Sequence, residues 1–119
     1  MRENDKDIGG YAVTEHQIQN DIMRVFATRT DMRLWRQNTG AAQYGRAMIR
    51  FGIPGQADLT GLLPNGVRLE IEVKSASGVQ SPDQRNFQNM IERFGGVYIL
   101  AWSVEDVRMV LKTYLKDLT

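Results

Sequence analysis

Residues 57–75 read ADLTGLLPNGVRLEIEVKS, two alternating runs on either side of Pro64-Asn65-Gly66. Alternation of apolar and polar side chains around a turn sequence predicts a β-hairpin. The turn then sets the register. If Asn65 and Gly66 formed a two-residue primed turn, Pro64 would pair with Val67 and Asp58 would face Val73, putting Asp58 and Glu72 on opposite faces. If Pro64 and Asn65 are the central residues of a type I turn and Gly66 is the left-handed residue of a bulge, Leu63 pairs with Val67 and Asp58 lies across from Glu72. Proline suits the first central position of a type I turn and has no role in the primed one, so the second register is expected. It sorts the hairpin into an apolar face (Leu59, Gly61, Leu63, Val67, Leu69, Ile71, Val73) and a polar one (Asp58, Thr60, Leu62, Arg68, Glu70, Glu72, Lys74).

In that register the Cβ atoms of Asp58 and Glu72 stand about 5 Å apart, where two like charges repel unless a cation lies between them. Mg²⁺ is typically held by one or two carboxylates plus waters and substrate phosphates. Lys74, two residues beyond Glu72 on the same face, can orient an attacking water or offset charge developing on a phosphate. Glu70 shares the face, but Glu72 is the residue across from Asp58 and two from Lys74.

Working outward, Thr14 and Gln17 form a capping box ahead of Ile18, Ile22, Val25 and Phe26, which predicts a helix from about Glu15 to Ala27. Glu15 precedes Ile18 by three and Ile22 by seven, so it shares the core-facing stripe. An apolar stretch around Leu34 and Trp35 follows, with both Trp35 and Trp102 expected in the core. A Gly- and Ala-containing loop then runs through Thr39, Gly40 and Gly45 to a strand near Met48 to Phe51. After the hairpin, Ser81-Pro82-Asp83-Gln84 opens a helix with a cap, a Pro at the first helical position and Gln84 at the capping-box position. Phe87, Met90, Ile91 and Phe94 give it an apolar stripe, on which Gln84 also falls, and Gly95-Gly96 ends it. Residues 97–101 read as a short strand, and Ser103 caps a last helix carrying Val107, Val110, Leu111, Tyr114 and Leu115.

The chain has 119 residues, 15 of them Lys or Arg and 14 Asp or Glu, with one His and no Cys. That length suits one domain, here expected over 14–119 after a polar lead-in of residues 1–13. Lack of cysteine excludes disulfides, thiol nucleophiles and Cys-ligated zinc, and a lone His argues against His-rich metal sites and serine-type triads. Metal chemistry must then use oxygen ligands. The charged N-terminus and the lack of an apolar stretch of about 18 residues suggest a cytoplasmic protein with no membrane span. Near neutrality argues against indiscriminate coating of nucleic acid, yet residues 24–50 hold six Arg and one acid, a local net of +5. Arg without Lys favours bidentate phosphate contact, which makes Arg36, Tyr44, Arg46 and Arg50 candidate DNA-backbone contacts.

Asp58, thirteen intervening residues, then Glu72-Val73-Lys74, with an acid on the preceding helix, resembles the PD-(D/E)xK nuclease superfamily. The Gln84 helix after that strand, and Arg36-Gln37-Asn38-Thr39-Gly40 ahead of Phe51-Gly52-Ile53-Pro54-Gly55, resemble its VRR-NUC branch. The likeness runs from about Thr14 to Leu115. It implies a mixed α/β, restriction-endonuclease-like core of helix, three strands, helix and strand, here followed by a C-terminal helix. By resemblance, Asp58 and Glu72 are metal-binding acids, the Val73 carbonyl completes the set, Lys74 is the catalytic lysine, Gln84 a supporting amide and Glu15 a helix-borne acid near the metal. Free-standing members are similar to Holliday-junction resolvases that act as homodimers with Mg²⁺ or Mn²⁺, in a bacterial cell or a phage-infected host. One departure is Ala57, where the family usually has proline before the first acid. The expected activity is metal-dependent endonucleolytic hydrolysis of branched DNA. The competing readings are a non-catalytic nucleic-acid-binding module that keeps the fold and an unrelated α/β interaction domain.

Overall fold

The computed structural model describes residues 13–37 and 40–118. The expected lead-in, apart from Val13, lies outside those residues, as do Asn38 and Thr39 of the motif noted above. Helix α1 (Glu15–Phe26) leads into strand β1 (Arg33–Arg36), a pair of strands β2 (Gly40–Tyr44) and β3 (Ala47–Phe51), and the hairpin strands β4 (Leu59–Leu62) and β5 (Arg68–Val73). Helix α2 (Pro82–Arg93), strand β6 (Val97–Ala101) and helix α3 (Val104–Leu111) complete a mixed α/β architecture. The main sheet has the order β1-β4-β5-β6, antiparallel at its first two contacts and parallel at β5–β6, while β2 and β3 form a separate antiparallel sheet. None of the described helices is long and apolar enough to cross a membrane.

The hairpin takes the expected register. Leu59 pairs with Ile71 and Leu62 with Arg68, and the Leu63 N–H donates to the Val67 carbonyl at 2.8 Å. The turn that sets it differs from expectation. Asn65 has φ 67° and ψ 18°, left-handed where a type I turn takes a right-handed residue, and Gly66 follows at φ 77°. Proline keeps the first central position of the turn, and Asn is one of the few residues with a side chain that tolerates the left-handed region.

The two faces of the sheet bury different things. Leu59, Leu69, Ile71 and Val73 pack with Ile18, Ile22 and Phe26 of α1 and Val107 and Leu111 of α3. Both helices present buried residues four apart, which keeps the stripe in line. Full burial of each such side chain contributes roughly 1.5–3 kcal/mol. On the other face α2 lays Phe87 and Ile91 against Tyr98 and Ala57. The polar side of the hairpin is therefore covered at its middle, where Thr60, Glu70 and Glu72 are all buried, while Leu62 and Arg68 nearer the turn stay exposed.

Several expectations need correction. The stretch around Leu34 is an edge strand with Leu34 buried, but Trp35 is 42% exposed because it points to the opposite face. Part of the expected loop is strand β2. Gly40, Ala41 and Ala42 are poor strand formers, and pairing with β3 across a turn at Gly45 (φ 61°) outweighs propensity. Phe94 falls at the end of α2, where the chain turns away, and is exposed. The last helix stops at Leu111, so Val107, Leu111 and Leu115 are buried while Val110 and Tyr114 are exposed.

Candidate functional site

The residues singled out at the hairpin come together at one end of the main sheet. Asp58, one residue before β4, follows the register of the Leu59–Ile71 pair and stands across from Glu72. Its Oδ2 accepts from the Val73 N–H at 2.9 Å, so the strand that carries Glu72 also fixes the first acid. Lys74 Nζ lies 3.6 Å from Glu72 Oε2. At the start of α1, Glu15 Oε2 accepts from the Ser75 N–H at 3.4 Å, bringing the helix-borne acid to the end of the same strand.

Gln84 performs two functions at once. Its side-chain oxygen accepts from the Ser81 N–H at 2.9 Å, completing the capping box of α2, and its Nε2 donates to Glu72 Oε2 at 3.0 Å. The start of α2 is in turn set by the loop before β4. Gly55, at φ 78°, sits so close to that helix that a Cβ would stand 2.2 Å from the Asp83 carbonyl carbon and 2.6 Å from the Gln84 nitrogen. The Phe51-Gly52-Ile53-Pro54-Gly55 motif thus has a structural meaning that local propensity could not reveal: its last glycine admits the turn of α2 that carries Gln84.

Burial pushes the Asp58 carboxyl up, and the Glu15 charge adds to this against the Val73 N–H, which favours the ionised form. Glu72 is pushed up to about 8, first by burial and then by Asp58, with Lys74 pulling the other way. Two close acids in a desolvated place thus lack sufficient positive charge when both are ionised. Glu72 Oε1 is buried without a hydrogen-bond partner among the described residues. A small divalent cation fits this donor set: hard oxygen ligands, an unsatisfied carboxylate oxygen and electrostatic demand for charge. Among the described residues no group of three or more His, Cys, Asp or Glu side chains is drawn together as a ready-made cage. Glu15 contributes by proximity, since its charge raises both acids.

Glu70 is separate from this group. It is fully buried across from Thr60, and burial pushes its carboxyl up against the pull of Thr60 and Arg68. His16 is exposed.

The expected DNA contacts are more scattered. Arg36 donates to Gln19 Oε1 at 2.7 Å and also to Asn20 Oδ1, which turns it towards α1 and away from the acids. Tyr44 and Arg46 are exposed on the β2–β3 hairpin, and the side chain of Arg50 lies outside the described residues. Arg33 and Arg68, not singled out from the sequence, flank Leu62 on the acid-bearing face of the main sheet. The alternation of β1 and β5 could have placed both there once β1 was read as a strand. Comparison of the chain with protein-family models, curated proteins and solved structures returns no match.

Proposed function

We propose that the protein is a metal-dependent endodeoxyribonuclease of the PD-(D/E)xK type, VRR-NUC-like, that cuts branched DNA such as a Holliday junction as a homodimer. The observation that carries this reading is the convergence of Asp58, Glu72, Lys74, Gln84 and Glu15 from the β4–β5 hairpin and helices α1 and α2 on one sheet end. Structural needs alone rarely gather a buried and a half-buried carboxylate, an ammonium and an amide. The element order lends further support. Leaving aside the β2–β3 pair, the chain runs helix, three strands, helix, strand and helix, the succession of a restriction-endonuclease-like core.

Asp58 and Glu72, with the Val73 carbonyl, would hold Mg²⁺ or Mn²⁺. Such a cation, when bound, supplies Lewis-acid polarisation of the scissile phosphate. The chain's own groups do the rest. Asp58 is preset by the Val73 N–H, and Gln84 locks the Glu72 carboxylate so that little reorganisation is needed when phosphate arrives. Lys74 orients the attacking water and stabilises charge growing on the phosphoryl oxygens. The water oxygen bonds to phosphorus, the bond to the leaving sugar oxygen breaks, the attacking water loses a proton and the leaving oxygen gains one. A two-fold symmetric junction calls for paired sites, hence a homodimer.

The test is incubation of labelled four-way junctions, flaps and linear duplex with Mn²⁺, Mg²⁺ or EDTA. Cutting of a branched substrate that requires metal supports the reading. Binding without cutting in every metal points to a nucleic-acid-binding module that keeps the fold.

A further inference from the structure

The face bearing Asp58 and Glu72 continues away from them in rows set by strand register. The next row holds Trp35, Thr60, Glu70 and Tyr98, and the one beyond holds Arg33, Leu62 and Arg68. Helix α2 covers the β6 side, packing Phe87 against Tyr98 with ring centroids 6.4 Å apart. The β1 side is open: Trp35 and Leu62 are each 42% exposed, Arg33 is exposed and the Arg68 side chain is half exposed. Each two-residue step along a strand advances about 6.6 Å, so Trp35 lies one step from the acids and the two arginines lie two.

The charge of this patch selects its occupant. Arg33 donates to the Met32 carbonyl, a neutral group, at 3.0 Å. Arg68 has a carboxylate at 3.6 Å, but that carboxylate, Glu70, is fully buried beneath the surface. Nearby Asp31 accepts from Arg29 Nε and Nη2, each at 2.8 Å. The accessible part is therefore aromatic and cationic. A second copy docked on this patch by two-fold symmetry would bring the same aromatic and cationic groups together, whereas a polyanion complements them. In a duplex the base faces are stacked on one another and cannot lie on an indole ring. An unstacked strand offers a base face and a phosphate in alternation, which is what an aromatic group flanked by guanidinium groups takes.

Resting on the nuclease reading above, we infer that Trp35, flanked by Arg33 and Arg68, is a stacking platform for an unpaired nucleotide of the DNA strand adjoining the Asp58–Glu72 site. The preferred substrate then carries at least one unpaired nucleotide at the branch beside the cut.

Fluorescence anisotropy in EDTA, where nothing is cut, measures this with oligodeoxythymidine and a blunt duplex of equal length. Oligodeoxythymidine is expected to bind more tightly. Trp35→Ala should weaken that binding about 5- to 100-fold and leave the duplex unchanged, with Trp35→Phe restoring most of it. Arg33→Ala should lower the salt dependence by about one phosphate contact. Melting curves of each variant establish that it folds. Equal affinity for both probes, undiminished binding by Trp35→Ala, or conversion of a dimer to a monomer by that substitution would overturn the platform. Trp35-dependent binding with no cutting in any metal overturns the nuclease reading alone, and cutting with Trp35-independent binding overturns the platform alone.

Discussion

Gln84 donates its side-chain N–H to Glu72 Oε2 at 3.0 Å while its own side-chain oxygen accepts from the Ser81 N–H at 2.9 Å. One amide thus caps a helix and orients a carboxylate. The two roles can be separated, because Ser81→Ala removes the hydroxyl that accepts from the Gln84 N–H and leaves the contact to Glu72. Each of Ser81→Ala and Gln84→Ala is expected to cost about 1 kcal/mol of stability, read by thermal or urea unfolding. Metal-dependent cleavage should fall about tenfold or more in Gln84→Ala and stay near wild type in Ser81→Ala.

Glu72 gives the protein a pH dependence of definite sign. Its carboxyl has an ordinary value of 4.5 and stands at about 8 in the folded chain. The native state therefore binds this proton more tightly than the unfolded one. The stability it contributes is complete below 4.5 and is lost as pH rises through 8. In EDTA, Glu72→Gln should melt close to wild type at pH 5 and above it at pH 8.5. Parallel melting curves at both pH values would count against this assignment.

Metal should reverse that order. A cation bound by Asp58 and Glu72 competes with the proton, so Mn²⁺ should raise the melting temperature of the wild type more at pH 8 than at pH 5.5. Asp58→Asn and Glu72→Gln should each abolish the shift. Calorimetric titration in two buffers of different ionisation enthalpy should register proton release on binding.

Gly55 tests the link between the loop before β4 and the site. A Cβ there meets α2 backbone at 2.2 Å, whereas at Gly66, with a similar φ of 77°, it meets nothing within 4 Å. Gly66→Ala carries only the left-handed strain of roughly 1–2 kcal/mol. Gly55→Ala adds displacement of the first turn of α2, and should be the more destabilising by at least about 1 kcal/mol in urea unfolding. It should also lower cleavage, since that turn carries Gln84.

The parts of this architecture legible in the sequence are those where local chemistry and global packing agree. Thr14 with Gln17 and Ser81 with Gln84 mark the two helices that open with a capping box, and Pro64 favours the register that puts Asp58 across from Glu72. What escaped depends on partners distant in sequence. Residues 40–44 are a strand only because 47–51 pair with them, and Trp35 faces outward only because Leu34 takes the core side of an edge strand. Burial of Glu72 under α2, which raises its carboxyl, could not be read from alternation, because a polar strand face looks the same whether water or a helix covers it. The capping role of Gln84 is legible from Ser81 three residues before it, yet nothing local shows that the opposite end of the same amide reaches Glu72.

Lys74 is the residue whose removal should stop the chemistry without dismantling the two carboxylates beside it. Labelled four-way junction incubated with Mn²⁺, Mg²⁺ or EDTA, by wild type and by Lys74→Ala, tests the central claim most directly. Wild type is expected to cut only with metal, and Lys74→Ala to be slower by about a hundredfold or more. Equal rates for the two proteins, or no cleavage by wild type with either metal, would contradict it.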